Sequence, residues 1–454
     1  MSSPVANEAK LSLSGNKMLF LLLVVAMTLF GFVMIYSASA PSAVAEGSSP
    51  FSYLLDQLKF ALLGGIAAFV AYRIDYRIWT TKAIYPIWFI CLLLVIATMF
   101  SGAGSEDWGA QRWLVLGPVS MQPSEFMKVA LVLVAADIMV KWHAGEYDNR
   151  TAIVHAFVLV LVPALLIYVT QSDLGTTMII AMGIISVMWL GEVPWKIIFG
   201  LVAAAAIFAV LATRFSSYRS NRFLYLDPWN DGKNGYGTGY QIIQSYYAFS
   251  QGGLFGMGIG NSTQKYLYLP ESETDFIFSV IGEELGLVGA LVVIAAFIVL
   301  LHAGMEIARC AEDEYGTMVA GALSIMIVFQ AFLNMGSAMG VFPTTGKPLP
   351  FISSGGSSLI ATFIMVGLIL SVARVAEGST FGRRERGRDI YEQRRDNLRV
   401  VRVAGSSSDG AMRDARDRSG SSRFGSRFSS GKSARGERGS SRGDAQLGNA
   451  RSRR

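Results

Sequence analysis

The chain has 454 residues, 52% of them hydrophobic and only 16% charged, and its mean hydropathy is +0.42. A soluble globular chain carries about 25% charged residues, so this composition excludes a soluble globular fold for the body of the protein. Of the 39 Lys and Arg and 33 Asp and Glu, 20 and 10 lie from Glu377 onward, which leaves a balance of −4 before it and +10 after it.

Taken in order, the chain opens with a short polar segment, residues 1–17, and then the run Met18–Tyr36, 19 residues without a charge. At 1.5 Å per residue such a run crosses ~30 Å of hydrocarbon. The following SASAPSAVAE contains Ala-x-Ala patterns of the kind that signal peptidase cuts. The run is longer than a signal peptide's apolar core and many more apolar windows follow, so it reads as a retained first helix. The windows 53–72, 83–101, 123–141, 152–170, 174–191, 196–213, 276–302, 316–338 and 357–375 bring the count to about ten. The fold class is therefore an all-α polytopic membrane protein, with a long extracytoplasmic loop between helices seven and eight.

An even number of spans puts both termini on one side, and positive charge chooses the side. Lys10, Lys17, Arg73, Arg77, Lys82, Lys141, Arg150, Lys196, Arg309 and the tail fall on one set of connectors. The other set holds Arg112, Lys347 and the long loop with Arg214, Arg219 and Arg222. The termini are expected in the cytoplasm, with the ten-helix body at 18–376 and a basic tail at 377–454. That tail is rich in Ser and Gly and poor in large apolar residues, so it is expected to be disordered and to lie near anionic lipid. It has no aromatic platform for nucleic acid. No internal repeat is visible, which weighs against an inverted-repeat transporter.

Ionisable residues in or beside a bilayer are costly and point to function. Span four opens QPSEFMKVALVLV, with Pro123 in the first turn, where its missing N–H is harmless. Glu125 and Lys128 are three apart and share a face; they read either as a neutralising ion pair or as a cation aimed into an outward cavity. In the turn Gln171-Ser172-Asp173 the aspartate reads as an N-cap and as a candidate substrate contact. Arg112, between Trp108 and Trp113, reads as an interfacial anchor or a phosphate ligand. The glycines 252, 253, 256, 258 and 260 lack the strand–turn–helix setting of a dinucleotide site and suit close backbone packing. PFISSGGSS (350–358) opens span ten, where free helix N–H groups and Ser357 are candidates for a phosphate oxygen.

The stretch LPESETDFIFSVIGEELG (269–286) places Glu271, Glu273 and Asp275 just before an apolar run and Glu283 and Glu284 just after it. It closes an outer loop of about 60 residues, far beyond the ~15 residues above which loops usually carry function or are disordered. No Ser-His-Asp set, Walker loop or Rossmann unit is present, and three scattered histidines and two cysteines have no metal or disulfide spacing. The residues themselves point to an outward-facing site for an anionic, lipid-linked substrate, and go no further.

GAQRWLVLGPVSMQPSEFMK (109–128), QSDLGTT (171–177), GTGYQIIQSYYAFSQGGLFGMGIGNSTQKYLYLPESETDFIFSVIGEELGLVG (237–289) and PLPFISSGGSS (348–358) together resemble one family. It is the shape, elongation, division and sporulation (SEDS) family of peptidoglycan polymerases, and GNSTQKYLYLPE is more similar to its division branch than to its elongation branch. The resemblance implies a glycosyltransferase that polymerises lipid II at the outer face of a bacterial cytoplasmic membrane. It also implies a class B penicillin-binding protein as partner, among other division proteins at the septum. The family's essential aspartate corresponds to Asp275 in Thr274-Asp275-Phe276; its helix-four pair corresponds to Glu125 and Lys128, and its loop arginine to Arg112.

Two positions depart from the pattern: Ser172 stands where the family commonly has Pro, and Ser354 where it commonly has Tyr. In this chemistry a base takes a proton from the acceptor hydroxyl, and cations or a metal take the charge of the leaving polyprenyl diphosphate. Asp275 suits the base. Glu271 and Glu273 read first as solvated loop charge and second as ligands for a divalent ion, the one cofactor the reading allows. Glu283, eight residues from Asp275, anchors its helix or lines the cavity. A lipid II flippase, an elongation-type polymerase and a scaffold for the transpeptidase are the alternatives.

Overall fold

The uncharged run from Met18 forms the body of α1 (Pro4–Ala45), which continues unbroken through the Ala-x-Ala patterns with Pro41 inside it. The computed structural model describes residues 4–80, 83–103, 112–116, 119–203, 227–237 and 239–378. After α1 come α2 (Ser52–Arg73), α3 (Ile84–Ser101), α4 (Pro123–His143), α5 (Asn149–Gln171) and α6 (Leu174–Leu190). Residues 195–203 begin α7; the rest of the seventh expected span, like the basic tail and Trp108, lies outside the described residues. The chain continues with α8 (Tyr240–Gly252), α9 (Ile277–Arg309), α10 (Glu314–Ala338) and α11 (Gly356–Gly378). Each expected span coincides with a helix, the seventh over its described residues. Among the described residues, six helices are long and apolar enough to cross a membrane, and α3 and α6 supply shorter apolar ones.

The helices sort by what surrounds them. α10 is buried over nearly its whole length, so it forms the axis against which α4, α6 and α9 pack. α2 buries only Gln57, Gly64 and Ala71 and turns Leu62, Ile66 and Phe69 outward, as a helix facing lipid does. Within α5, Pro163 has no N–H to give the carbonyl of Leu159. The helix widens to a π-turn at Phe157–Leu161, and the Trp88 indole on α3 donates to that carbonyl at 2.8 Å.

Polar connectors collect at two ends. At one, Lys17 pairs with Glu377 at 2.6 Å, Arg77 meets Glu312 and Asp313, and His143 meets Glu314. The Lys17–Glu377 pair joins the start of the first apolar run to the end of the last helix, as an even number of crossings requires.

The opposite end is built by breaking helices. In α9 Gly286 takes φ 68°, ψ −167°, a backbone state that only glycine adopts without penalty. The glycine series lies across the break: Met257 and Gly258 N–H donate to the carbonyls of Glu283 and Glu284, and Leu287 and Val288 N–H donate to those of Gly253 and Leu254. A Cβ on Gly256 would lie 2.2 Å from the Glu284 carbonyl oxygen. The glycines are thus a packing device, as their sequence setting implied. Glu283 anchors the same loop, accepting from Ser262 Oγ and from the N–H groups of Thr263 and Gln264. It does not line the cavity described below. Glu284 pairs with Lys265 at 2.9 Å and accepts from Ser37 at 2.6 Å. At the same end a small antiparallel sheet, β1 (Gly102–Ala103), β2 (Trp113–Leu116) and β3 (Val119–Met121), pairs Leu114 with Met121. Neither this sheet nor α8 was expected from the apolar windows, because both lie in connectors.

A candidate active site at the end of the bundle

A cavity of about 910 Å³ opens at the broken-helix end, between the α9 entry, the loop before α11, the β2–β3 ribbon and α8. This is the upper range of ligand pockets. Three of the expected site residues, Asp275, Arg112 and Ser357, line it, together with Glu271, Gln122 and Lys347. The other three, Glu125, Lys128 and Asp173, are fully buried and stand behind its wall.

Asp275 sits two residues before α9, in a turn held by Glu271. The Glu271 backbone takes φ 55°, and its carbonyl accepts from the N–H groups of Thr274 and Phe276. Asn334 on α10 donates to the carbonyls of Asp275 (2.9 Å) and Lys347 (2.8 Å), clamping the two loop segments together. Burial pushes the Asp275 carboxyl up, Glu271 adds to the rise, Lys347 and Arg112 oppose it, and the result is about 7.

Arg112 faces it. The Arg112 Nε–H donates to the Gln171 carbonyl at 2.9 Å and Nη2 to that of Ser172 at 3.2 Å. A side chain on Gly346 would begin 3.6 Å from Asp275 Oδ2 and 4.0 Å from Arg112 Nη1, so the missing side chain leaves a gap flanked by the carboxylate and the guanidinium. Ser172 holds φ 48°, ψ 31°, a left-handed conformation closed to proline, whose φ is fixed near −65°. The departure at this position therefore goes with a turn that proline cannot make.

Behind the wall runs a chain of alternating charge. Lys347 Nζ reaches Asp173 Oδ2 at 2.8 Å and Glu125 Oε1 at 3.0 Å. Glu125 Oε2 accepts from Lys128 Nζ at 2.6 Å, and Lys128 also donates to Gln330 Oε1 at 2.8 Å. Gln330 in turn donates to the Pro348 carbonyl and to Ser358. For Lys347 burial pulls the pKa down, but Asp173 and Glu125 outweigh it and hold it above the ordinary lysine value. For Asp173 burial pushes up, and Lys347 and Arg112 outweigh it and hold it low. Among the described residues two cations and two anions pair here, whereas Arg112 donates to two uncharged carbonyls and lines the cavity.

Asp173 keeps its capping role as well, accepting the Thr176 N–H at 3.0 Å and the Gln122 amide at 2.8 Å. Ser357 accepts the Gln122 N–H at 3.0 Å, fixing the ribbon to the first turn of α11. Glu271 lines the cavity, with its carboxylate accepting from Thr274 at 2.7 Å. Glu273 is buried, bonded to Ser272, and burial raises its pKa. The two carboxylates are engaged separately. Among the described residues no group of three or more His, Cys, Asp or Glu is placed to hold a metal.

Sequence reasoning missed Lys347, which counted only as a loop charge. Its setting Gly346-Lys347-Pro348 in an outer loop was the available signal. Gly175 makes room for it: a Cβ there would lie 2.6 Å from Lys347 Cγ and 2.9 Å from the Thr345 carbonyl oxygen. Gly175→Ala is therefore expected to displace Lys347 and lower turnover about tenfold or more, since a shift on the order of 1 Å at a site costs up to ~10². Initial rates beside detergent melting curves check this; a wild-type rate in the Ala variant contradicts it.

Residues 17–378 match the model of the FtsW/RodA/SpoVE family, described as a cell cycle protein family. The chain belongs to this family. It is 40% identical over 366 residues to the probable peptidoglycan glycosyltransferase FtsW of Geobacter metallireducens, covering 80% of this chain and 96% of that one. It is 38% identical over 360 residues to stage V sporulation protein E of Bacillus subtilis, covering 79% and 96%. Among solved structures it is similar to a chain of a peptidoglycan synthase complex, described as coordinating polymerisation and crosslinking, with TM-score 0.62, 28% identity and coverage of 79% and 97%. It is also similar to the rod shape determining protein RodA of Thermus thermophilus, with TM-score 0.57, 27% identity and coverage of 78% and 95%. The family places the chain among multi-pass membrane enzymes of the glycosyltransferase class.

Proposed function

We propose that this chain polymerises lipid II into glycan strands at the outer face of a bacterial cytoplasmic membrane, in septal wall synthesis. The observation that carries the reading is the pairing, across Gly346, of the Asp275 carboxylate with the Arg112 guanidinium, both lining the cavity. Asp275 takes the proton from the acceptor hydroxyl as it attacks the donor's anomeric carbon. Arg112 receives the charge that develops on the departing diphosphate. Lys347 adds to that field from the wall, and Glu125, Lys128 and Asp173 hold Lys347 in place. Ser357 and the first N–H groups of α11 contact a phosphate oxygen. Charge-assisted bonds to phosphate are worth ~1.5–3 kcal/mol each, so Arg112→Ala is expected to cost about ten- to a hundredfold in lipid II use.

Flipping would require a matching site at the other end of the bundle. There the connectors are tied by Arg77 to Glu312 and Asp313 and by His143 to Glu314, which favours chemistry at one face. The similarity to a complex that couples polymerisation to crosslinking supports a class B penicillin-binding protein as partner. The test is purified protein, with and without that transpeptidase, given labelled lipid II and run on a gel. Glycan ladders support the reading. Lipid II carried across vesicles with no ladder formed would replace it with the flippase.

Both termini are placed in the cytoplasm on the same reading, supported by the Lys17–Glu377 pair. Reporters fused at Gly232 and Gly405 are expected to read outside and inside respectively. The same side for both would overturn the ten-span topology. Truncation after Glu377 is expected to leave polymerisation in vitro intact.

A further inference from the structure

The segment Asp227–Gly237 is polar and water-facing. Yet it carries two large aromatics in the open, Tyr236 at 81% and Trp229 at 53% exposure. Tyr and Trp are enriched at interfaces, where an apolar ring face and a polar tip are both of use. Both rings are held in place. Tyr236 stacks on Tyr240 with centroids 6.5 Å apart and planes 24° from parallel, and Trp229 stacks on Tyr246 of α8 at 5.7 Å and 27°. One carboxylate ties the loop beneath them together. The Asp231 carboxylate accepts the N–H groups of Lys233, Gly235, Gly237 and Gly239, four charge-assisted bonds that hold its pKa at about 2. Tyr240, Gln241 and Gly237 line the cavity itself. The exposed ring of Tyr236, stacked on Tyr240, thus lies beside the cavity wall.

We infer that Tyr236 and Tyr240 form a stacking track for saccharide, along which the growing glycan strand leaves the cavity. The inference rests on the polymerase reading and adds a product-side site to it. The apolar C–H faces of pyranose rings pack on aromatic planes, while Gln241 and the loop's polar groups meet the hydroxyls. The flank fits a glycan better than a lipid leaflet, because Asp227, Asn230, Lys233 and Asn234 around Tyr236 are all exposed and would have to lose water in a bilayer.

Strand length reflects the competition between addition of the next unit and release of the strand, so a weaker track raises release. Tyr236→Ala is expected to give strands about three- to tenfold shorter per lipid II consumed, the factor that loss of one aromatic stacking contact implies. Tyr236→Trp and Tyr236→Phe are expected to restore length. In parallel, lipid-free oligosaccharides of the glycan backbone should be retained by immobilised full-length protein and by the Trp variant, and less by the Ala variant. Unchanged strand length in Tyr236→Ala, or equal oligosaccharide retention by all forms, overturns the track. Shortening seen only when the transpeptidase is present makes the surface a protein-docking site instead, and shortening that depends on the lipid composition makes it a membrane anchor; either result also overturns the track. If the wild-type protein forms no glycan at all, the polymerase reading falls, and the oligosaccharide experiment still decides whether the surface binds saccharide.

Discussion

Asp275→Asn is expected to insert and fold as the parent does, and to form glycan ~10²–10⁴-fold more slowly. That is the span over which a positioned general base accelerates proton transfer. Asparagine keeps the size and the hydrogen-bonding shape, and the Asn334 clamp grips the backbone carbonyl of residue 275 rather than its side chain. The substitution therefore removes proton acceptance and little else. Glu271→Gln and Glu273→Gln are expected to lose much less. Glu271 touches the cavity only with a carboxylate already engaged by Thr274, and Glu273 is buried beside Ser272. Lipid II polymerisation by the three variants, normalised to folded protein, measures the contrast. A near-parental rate in Asp275→Asn would remove the base assignment.

The same carboxyl sets a pH dependence. Its pKa is raised to about 7, by burial first and by Glu271 second, against Lys347 and Arg112. A base must be deprotonated, so kcat/KM is expected to level off above about pH 7 and to fall tenfold per unit below it. Glu271→Gln removes a raising charge and moves this limb to lower pH. Arg112→Ala removes a lowering charge and moves it to higher pH, separately from any loss of phosphate binding. Initial rates from about pH 5 to pH 9 resolve both shifts.

The transmembrane architecture was legible because its signal is local. Ten apolar windows predict helices wherever they occur, and the N-cap at Asp173 and the Pro123 start are readable within four residues. Asp275 was legible for the same reason, as the last polar step before Phe276. Lys347 was not. Its partners lie far away in sequence, at Glu125 and Asp173, and nothing in Gly-Lys-Pro announces which carboxylates a fold will bring to it. The Glu125–Lys128 spacing predicted a shared face but left open whether the cation points into the cavity. The burial of both residues answers that question. The β2–β3 ribbon escaped notice because it is too short for an alternating pattern to stand out.

Removing Glu125 is expected to have the largest effect on stability of any single change at the site. Glu125→Ala takes one carboxylate from between two lysines, and the two are left in different positions. Lys347 keeps Asp173 at 2.8 Å. Lys128, fully buried, keeps among the described residues only the uncharged amide of Gln330. Stranding one member of a buried ion pair costs about 3–5 kcal/mol, a large share of the ~5–15 kcal/mol that typically holds a fold. Lys128→Met is expected to cost less, because Glu125 still has Lys347 at 3.0 Å and the methionine refills the space. Combining Glu125→Gln with Lys128→Met removes one charge of each sign and is expected to recover most of the loss, leaving Lys347 and Asp173 as a closed pair. Denaturant midpoints in detergent for these variants, read beside their lipid II turnover, separate the two roles of the network. Equal destabilisation by Glu125→Ala and Lys128→Met would mean that Lys347 does not share Glu125. Full stability with lost turnover in both would mean that the pair acts on substrate rather than on the fold.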